Sequence, residues 1–297
     1  MEILKSILLG IVEGITEWLP ISSTGHMILV DEFVKLSTSN AFKDMFFVVI
    51  QLGAILAVII LFWNKLWPFH LKRNDIEPFF KSDLNGKLGS FKALCNNYVY
   101  AEKFILWFKI LLASVPAAIL GLLFDDQIDA MLTGDNRAYV VATALIVYGI
   151  LFIIIENKKV NTKFEDLETL TYKTAFFIGV IQCLALVPGT SRSGSTILGA
   201  VLLGLSRTAS AEFSFYLAVP AMVGGSGIKV LQYFADGNTF SGTEIAILVV
   251  GMAVAFVVSV AAIKFLLSYI RKHDFKAFGY YRIVLGIIVI AYFLISK

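Results

Sequence analysis

The chain is poor in charged residues and in cysteine. Asp, Glu, Lys and Arg together make up 16% of its 297 residues, and Cys95 and Cys183 are its two cysteines. The net charge of +3 is small and most of the basic residues lie in connecting segments rather than on an extended basic face, so no nucleic-acid partner is expected. The two cysteines lack metal-site or redox spacing, and we expect both to be unpaired.

Apolar residues, in contrast, are abundant. Hydrophobic residues account for 58% of the chain, including 25 Phe, which is more than a soluble domain can hide in its core. The sequence therefore predicts an all-α polytopic membrane protein. A full helical crossing needs about 20 residues, and apolar stretches near this length lie at 45–63, 104–124, 138–156, 213–234, 245–270 and 278–296.

Lysine and arginine are distributed unevenly among the connections. They are frequent in 64–103, 157–173 and 271–277, whereas the opposite set of connections holds only Lys35, Lys43 and Arg137. Because short loops rich in Lys and Arg stay in the cytoplasm, we place the first group there, including the polar loop at about 64–103.

Two polar, glycine-containing stretches interrupt the apolar chain. They read GIVEGITEWLPISSTGH at 10–26 and GVIQCLALVPGTSRSGS at 179–195. A gap-free alignment pairs Gly10 with Gly179, Glu13 with Gln182, Ser22 with Ser191, Thr24 with Ser193 and Gly25 with Gly194. Charged groups within a membrane helix cost about 2.5–3.5 kcal/mol on insertion scales and usually line a site. The two interruptions thus suggest two halves that build one site.

The order of crossings predicts an inverted-topology repeat. Equivalent crossings of the two halves point in opposite directions, and segments 5–43 and 174–212 each contain two short apolar pieces around a break. We therefore predict a single integral membrane domain over 1–297, in which repeat 1 (about 1–156) and repeat 2 (about 172–297) each contain a re-entrant helical hairpin plus three transmembrane helices. Broken helices of this kind meet near the middle of the membrane, with their N-termini aimed at anionic groups.

The first stretch carries two carboxylates. Glu13 and Glu17 are four residues apart, on one helical face, where their like charges repel. They need a cation, a shared proton or a basic partner, and a divalent ion (Mg²⁺ or Ca²⁺) satisfies hard carboxylate oxygens. The alternative is that they are capping or interface carboxylates.

A polar turn is predicted after these acids. Pro20 is expected to end the helix, and Ser22, Ser23, Thr24 and Gly25 to form a turn that presents hydroxyls and amides. His26 follows this turn; beside hydroxyls and acids it can exchange a proton near neutral pH, or it is an ordinary hydrogen-bonded residue.

The second stretch supplies the opposite charge. Residues 188–196 predict a turn followed by a helix start. The guanidinium of Arg192 suits phosphate oxygens, and the hydroxyls of Ser191, Ser193 and Thr196 add donors. Alternatively, Arg192 forms a salt bridge with one of the two glutamates. Metal ligands, hydroxyls, a histidine and an arginine together favour phosphoryl chemistry.

At this point the sequence resembles a known family, the bacitracin-resistance undecaprenyl-diphosphate phosphatases. The resemblance is carried over nearly the whole chain by EGITEWLPISSTGH at 13–26, VIQLGA at 49–54, PGTSRSGST at 188–196 and SAEFSFYLAVP at 210–220. It implies hydrolysis of undecaprenyl diphosphate to the monophosphate and phosphate, which recycles the lipid carrier of cell-wall synthesis. It also implies a divalent cation, and a multi-pass protein of the bacterial plasma (inner) membrane whose active site opens to the outer face. The polar stretch at about 70–102 is longer than this family leads us to expect.

The resemblance assigns the site residue by residue. The family's acidic pair corresponds to Glu13 and Glu17, its hydroxyl and histidine to Ser23 and His26, and its second motif to Ser191, Arg192, Ser193 and Thr196.

These assignments give a mechanistic hypothesis. Arg192 and neighbouring donors, with Ser22 and Thr24, bind the diphosphate, while Ser23 attacks and His26 accepts its proton. In a rival route an activated water attacks directly and Ser23 only binds phosphate. A transporter or flippase of a polyprenyl phosphate or another anionic lipid is the alternative function, because broken helices are common in transporters. Gly224, Gly225 and Gly227 allow close helix packing within one chain or in a homodimer.

Overall fold

The computed structural model describes residues 1–71, 89–133, 136–158 and 160–295. Within these ranges the regular structure is helical, with one short 3₁₀ turn at Cys183–Leu186 and isolated bridges between Phe69 and Val99 and between Phe164 and Leu205. The helices are α1 (Glu2–Thr16), α2 (Ser23–Phe33), α3 (Asn40–Val49), α4 (Gln51–Leu61), α5 (Trp63–Leu66), α6 (Gly89–Tyr98), α7 (Ala101–Leu123), α8 (Asp125–Thr133), α9 (Arg137–Asn157), α10 (Tyr172–Gln182), α11 (Arg192–Leu202), α12 (Arg207–Ala235), α13 (Gly242–Ile270) and α14 (Lys276–Ile295).

Six helical spans of the described chain are long and apolar enough to cross a membrane, as predicted. Helices α3 and α4 run on through Ile50 and form one of them, and the other five are α7, α9, α12, α13 and α14. The protein is thus an all-helical, multi-pass membrane protein. Of the predicted polar loop at 64–103, residues 72–88 lie outside the described residues, and α5 and α6 flank them. Cys95 and Cys183 are free, as expected.

Both polar stretches break a helix in the same way. Helix α1 gives way to a turn and then to α2, and α10 gives way to the 3₁₀ turn, a loop and α11. The residue just before the second helix is a serine with positive φ in both cases, 73° for Ser22 and 71° for Ser191. Each serine hydroxyl accepts a hydrogen bond from the amide three residues later, which caps the new helix.

The break in the first stretch differs in detail from the sequence-based expectation. Helix α1 ends at Thr16 rather than at Pro20, and Ser23 already begins α2 instead of belonging to a turn that extends to Gly25. The residue before a proline disfavours helical dihedrals, and proline has no amide to donate. The chain therefore leaves the helix ahead of Pro20, and the capping hydroxyl of Ser22 starts the next helix earlier than expected.

Each broken segment packs closely against a crossing from the other half of the chain. Helix α1 lies on α13, where a Cβ at Gly10 would stand 2.7 Å from the carbonyl oxygen of Gly251. Helix α10 lies on α7, where a Cβ at Gly179 would stand 2.0 Å from the carbonyl oxygen of Ala113. Glycine at these two aligned positions therefore permits both close contacts. The division into two repeats within one domain stays a prediction.

Candidate active site

Three of the predicted site residues form a continuous chain of polar contacts. Ser23 Oγ donates to Glu17 Oε2 at 2.8 Å, and Arg192 Nη2 donates to Glu17 Oε1 at 3.0 Å. Both carboxylate oxygens of Glu17 are thus engaged, and the residue is 7% exposed. The nucleophile candidate of the first stretch and the cation of the second therefore meet on one buried carboxylate, 175 positions apart in sequence from Glu17 to Arg192.

Helix α12 holds Arg192 in place. Arg192 Nη1 donates to the carbonyl oxygen of Ser214 at 2.7 Å, and Thr196 exchanges a hydrogen bond with the Ser214 hydroxyl at 2.5 Å. Thr196 also donates to the carbonyl oxygen of Arg192 at 2.9 Å. Because these contacts fix both the backbone and the side chain, the guanidinium is preorganised for an anion.

The first turn of α11 contacts the loop between α1 and α2. Ser193 Oγ lies 3.0 Å from the carbonyl oxygen of Glu17 and 3.1 Å from Ser191 Oγ. Ser191 also caps α11 by accepting from the Gly194 amide at 3.1 Å. Of the other predicted phosphate donors, Ser22 caps α2 and is buried, whereas Thr24 is partly exposed in the first turn of α2. The N-termini of two helices thus lie beside the Glu17 carboxylate, and such N-termini favour anionic ligands.

Glu13 is the one carboxylate of this cluster that has an unused oxygen. It is 1% exposed, and its Oε1 atom is buried without a hydrogen-bond partner. The Glu17 amide donates to the Glu13 carbonyl at 3.0 Å, so the two residues are one helical turn apart, as the spacing predicts. In the described part of the chain, no group of three or more His, Cys, Asp or Glu is arranged to hold a metal ion. The predicted cation site at Glu13 and Glu17 stays a prediction.

His26 makes different contacts from those that the sequence suggested. Its Nδ1 atom lies 2.8 Å from the carbonyl oxygen of Ser22, and its Nε2 atom lies 2.7 Å from the hydroxyl of Tyr281. The hydroxyl of Ser23 is hydrogen-bonded to Glu17 instead. The catalytic assignment of His26 stays a prediction, but this arrangement favours Glu17 as the acceptor of the Ser23 proton.

Sequence reasoning missed Arg282, which joins both loops. This arginine is fully buried in α14; its Nη1 donates to the Pro20 carbonyl at 3.1 Å, and its Nη2 donates to the carbonyls of Gly189 and Thr190 at 2.9 and 2.8 Å. Its guanidinium also lies 5.3 Å from the ring centroid of Tyr148. The sequence did contain a signal: Arg282 is a charged residue within the apolar stretch 278–296. Because a charged side chain in a membrane span has a high free-energy cost, such residues usually have a functional or structural role.

Two cavities at the protein surface lie away from this cluster. They measure about 430 and 450 Å³, and none of the predicted site residues lines either one. The first is bordered by Lys65, Lys109 and Glu212 and the second by Glu156 and Arg207. The contacts between the two broken segments, rather than cavity size, therefore identify the candidate site.

Comparison with known proteins gives a consistent result. A family model described as bacitracin resistance protein BacA matches residues 6–288. The chain is 57% identical to an undecaprenyl-diphosphatase of Enterococcus faecalis, over 98% of this chain and 96% of the relative. It is 53% identical to one of Desulfitobacterium hafniense (99% and 96% covered) and 52% identical to undecaprenyl-diphosphatase 1 of Clostridioides difficile (99% and 97% covered).

Proposed function

The chain belongs to the bacitracin resistance protein BacA family, and we propose on this basis that it is an undecaprenyl-diphosphatase. It hydrolyses undecaprenyl diphosphate to undecaprenyl phosphate and inorganic phosphate, and so recycles the lipid carrier for cell-wall synthesis and confers bacitracin resistance. The near full-length identity to enzymes of that name carries this conclusion, and the contacts of Ser23 and Arg192 with Glu17 give it a chemical basis.

The substrate divides into two parts of opposite polarity. The prenyl tail stays in the lipid, while the diphosphate enters the space between the two helix breaks. Arg192 and the first turn of α11, with Ser191, Ser193 and Thr196, bind its oxygens, and Ser22 and Thr24 add donors from α2. The support for this part is the fixed guanidinium of Arg192, held by Ser214 and Glu17, beside the N-terminus of α11.

Ser23 is the proposed nucleophile. Its oxygen attacks the terminal phosphorus, its proton passes to the Glu17 oxygen 2.8 Å away, and undecaprenyl phosphate leaves as the bond to the bridging oxygen breaks. Water then hydrolyses the phosphoserine and releases phosphate. Acid-quenched enzyme in the first turnovers should therefore contain phosphate on the peptide that includes Ser23. A burst of free phosphate with no labelled peptide would favour direct attack by water, with Ser23 as a phosphate ligand.

A divalent cation, Mg²⁺ or Ca²⁺, is part of the proposal. Glu13 and Glu17 are the proposed ligands, because Mg²⁺ is commonly bound through one or two carboxylates together with phosphate oxygens. The buried Oε1 atom of Glu13 has no partner, whereas the oxygens of Glu17 also accept from Ser23 and Arg192. When bound, the ion neutralises charge that develops on the phosphoryl group and the leaving oxygen.

We also propose that the protein contains an inverted-topology repeat with two re-entrant hairpins. The similar φ values of Ser22 and Ser191 and the packing of α1 on α13 and of α10 on α7 support it. The family resemblance further implies a place in the bacterial inner membrane with the active site open to the outer face, and we include this in the proposal. Intact cells that carry single cysteines in a Cys95→Ala, Cys183→Ala background test this. An impermeant thiol reagent should label Asn40→Cys and Thr239→Cys, whereas Glu165→Cys should react only after permeabilisation. Labelling of all three, or of Glu165→Cys alone, contradicts the topology.

Phosphate release distinguishes the phosphatase from the alternative function, a lipid transporter or flippase. Purified protein in detergent, given undecaprenyl diphosphate and Mg²⁺ or Ca²⁺, should release phosphate, and chelation should stop it. Tight lipid binding without release is the result expected of a transporter or flippase, which the relatives do not favour.

The homodimer stays a prediction. A Cβ added at Gly224, Gly225 or Gly227 would meet no atom within 4 Å.

A further inference from the structure

The imidazole of His26 is fixed at both nitrogens. Its Nδ1 atom lies 2.8 Å from the main-chain carbonyl oxygen of Ser22. A carbonyl oxygen can only accept a hydrogen bond, so Nδ1 must carry the proton of this contact. In a neutral imidazole the other nitrogen is then an acceptor, and the Tyr281 hydroxyl, 2.7 Å from Nε2, is its donor.

Tyr281 constrains the ring in a second way. The two aromatic rings are almost parallel, with an interplanar angle of 6° and centroids 5.6 Å apart. The Ser22 carbonyl thus requires a proton on Nδ1, and the Tyr281 hydroxyl, as the donor to Nε2, favours the same protonated form.

The residue that follows Tyr281 anchors this arrangement. Arg282 is fully buried and donates to main-chain carbonyls of both helix breaks, at Pro20 and at Gly189 and Thr190. These bonds hold α14 at a fixed position relative to the start of α2. Tyr281 is consequently presented to His26 by a part of the chain that is itself tied to the site.

The consequence concerns the path of the Ser23 proton. Since His26 uses its two nitrogens on the Ser22 carbonyl and on Tyr281, the acceptor left for Ser23 is Glu17. His26 instead holds the Ser22 turn, whose positive φ of 73° is unfavourable for a residue with a side chain.

We propose that Tyr281 is a positioning residue for the phosphatase reaction. It fixes His26 in the Nδ1–H form against the Ser22 carbonyl, so that the ring stabilises the turn at Ser22, just before Ser23, and leaves the Ser23 hydroxyl hydrogen-bonded to Glu17. This role rests on the proposed function, but its physical basis, the protonation site of His26, can be measured without substrate.

The direct test is ¹⁵N NMR of histidine-labelled protein in detergent. The chain has three histidines, so a His26→Gln variant assigns the signals. Wild-type His26 should show Nδ1 as the protonated nitrogen and Nε2 as the acceptor. Tyr281→Phe should move part of the population to the Nε2–H form, whereas Tyr280→Phe, whose residue is 58% exposed, should not. An unchanged spectrum in Tyr281→Phe, or the same change in Tyr280→Phe, overturns the proposal.

Kinetics supply the second readout. Tyr281→Phe should lower kcat by about tenfold and leave KM within about twofold, because the diphosphate ligands are untouched. In a His26→Gln background the same substitution should have no further effect, since Tyr281 acts through His26. Additive losses in the double variant contradict this role. If wild-type protein released no phosphate at all, the proposed function would fail while the NMR result still stood.

Discussion

The two broken segments differ far more in chemistry than in backbone. Ser22 and Ser191 have φ values of 73° and 71°, and each caps the following helix through the amide three residues on, at 3.3 and 3.1 Å. Yet the aligned side chains are unlike: Glu13 faces Gln182 in the alignment, Glu17 faces Leu186, Ser23 faces Arg192 and His26 faces Ser195.

This difference indicates how one site arises from two segments of similar backbone. Each segment supplies a helix N-terminus, which favours an anion independently of the side chains. The first segment then carries the two glutamates and the candidate nucleophile, Ser23, and the second carries the positive charge, Arg192. Glu17 connects them, because it accepts from Ser23 of its own segment and from Arg192 of the other. Variants that make the segments more alike, or break that connection, therefore test the comparison.

The largest loss is expected from Glu17→Gln. The substitution removes the proposed acceptor of the Ser23 proton and leaves the buried guanidinium of Arg192 without its 3.0 Å carboxylate. Phosphate release should fall by about 10³-fold, as expected for loss of a general base. Glu156→Gln is the matched control, because Glu156 is another buried carboxylate and pairs with the partly exposed Arg207 at 2.6 Å. If both variants lost activity equally in folded protein, Glu17 would have only a structural role.

Arg192→Lys should have the next largest effect. Lysine keeps the charge, but it cannot donate at once to Glu17 and to the Ser214 carbonyl, as the two guanidinium nitrogens do at 3.0 and 2.7 Å. We expect kcat/KM to fall by about 10²-fold, which is typical for loss of one preorganised donor. Near-normal turnover in this variant would remove the guanidinium fork from the mechanism.

A smaller, cation-dependent effect is expected when the first segment is made to resemble the second. Glu13→Gln copies the aligned residue Gln182. The cation concentration for half-maximal phosphate release should rise by about tenfold or more, because a carboxylate ligand of a hard ion is lost. Gln182→Leu should leave the cation requirement unchanged. Equal cation titrations for Glu13→Gln and wild type contradict the assignment of Glu13 as a ligand.

The membrane-spanning helices could be predicted from the sequence, because their length and apolar composition are enough to identify them. All six crossings were predicted, although 213–234 begins at Arg207 in the structure. Its first two turns contain Ser210, Glu212 and Ser214, which interrupt the apolar pattern. These residues are nevertheless helical because Ser206 caps the helix and their polar groups lie inside the protein, where Ser214 contacts Arg192.

The site was predictable in composition but not in connectivity. The ion pair between Arg192 and one glutamate was among the alternatives, since opposite charges in an apolar chain have few partners. The contacts of Arg282 could not be anticipated, because its partners are main-chain carbonyls, which leave no mark in the sequence. The Tyr281 contact with His26 likewise depends on the position of α14, which periodicity does not determine.

The smallest predicted effect compares the two serine caps directly. Ser22→Gly and Ser191→Gly should each relieve the positive φ, while loss of the capping hydroxyl to glycine costs only a few tenths of a kcal/mol. Each variant should thus be as stable as wild type or more stable by about 0.5–1 kcal/mol. The corresponding alanine variants keep the unfavourable φ, lose the cap and should be destabilised by about 1 kcal/mol. Denaturant unfolding in detergent measures all four. Because the two serines share a positive φ and the same type of cap, the two glycine variants should respond alike, and a clear difference between them would show that the two turns are not equivalent.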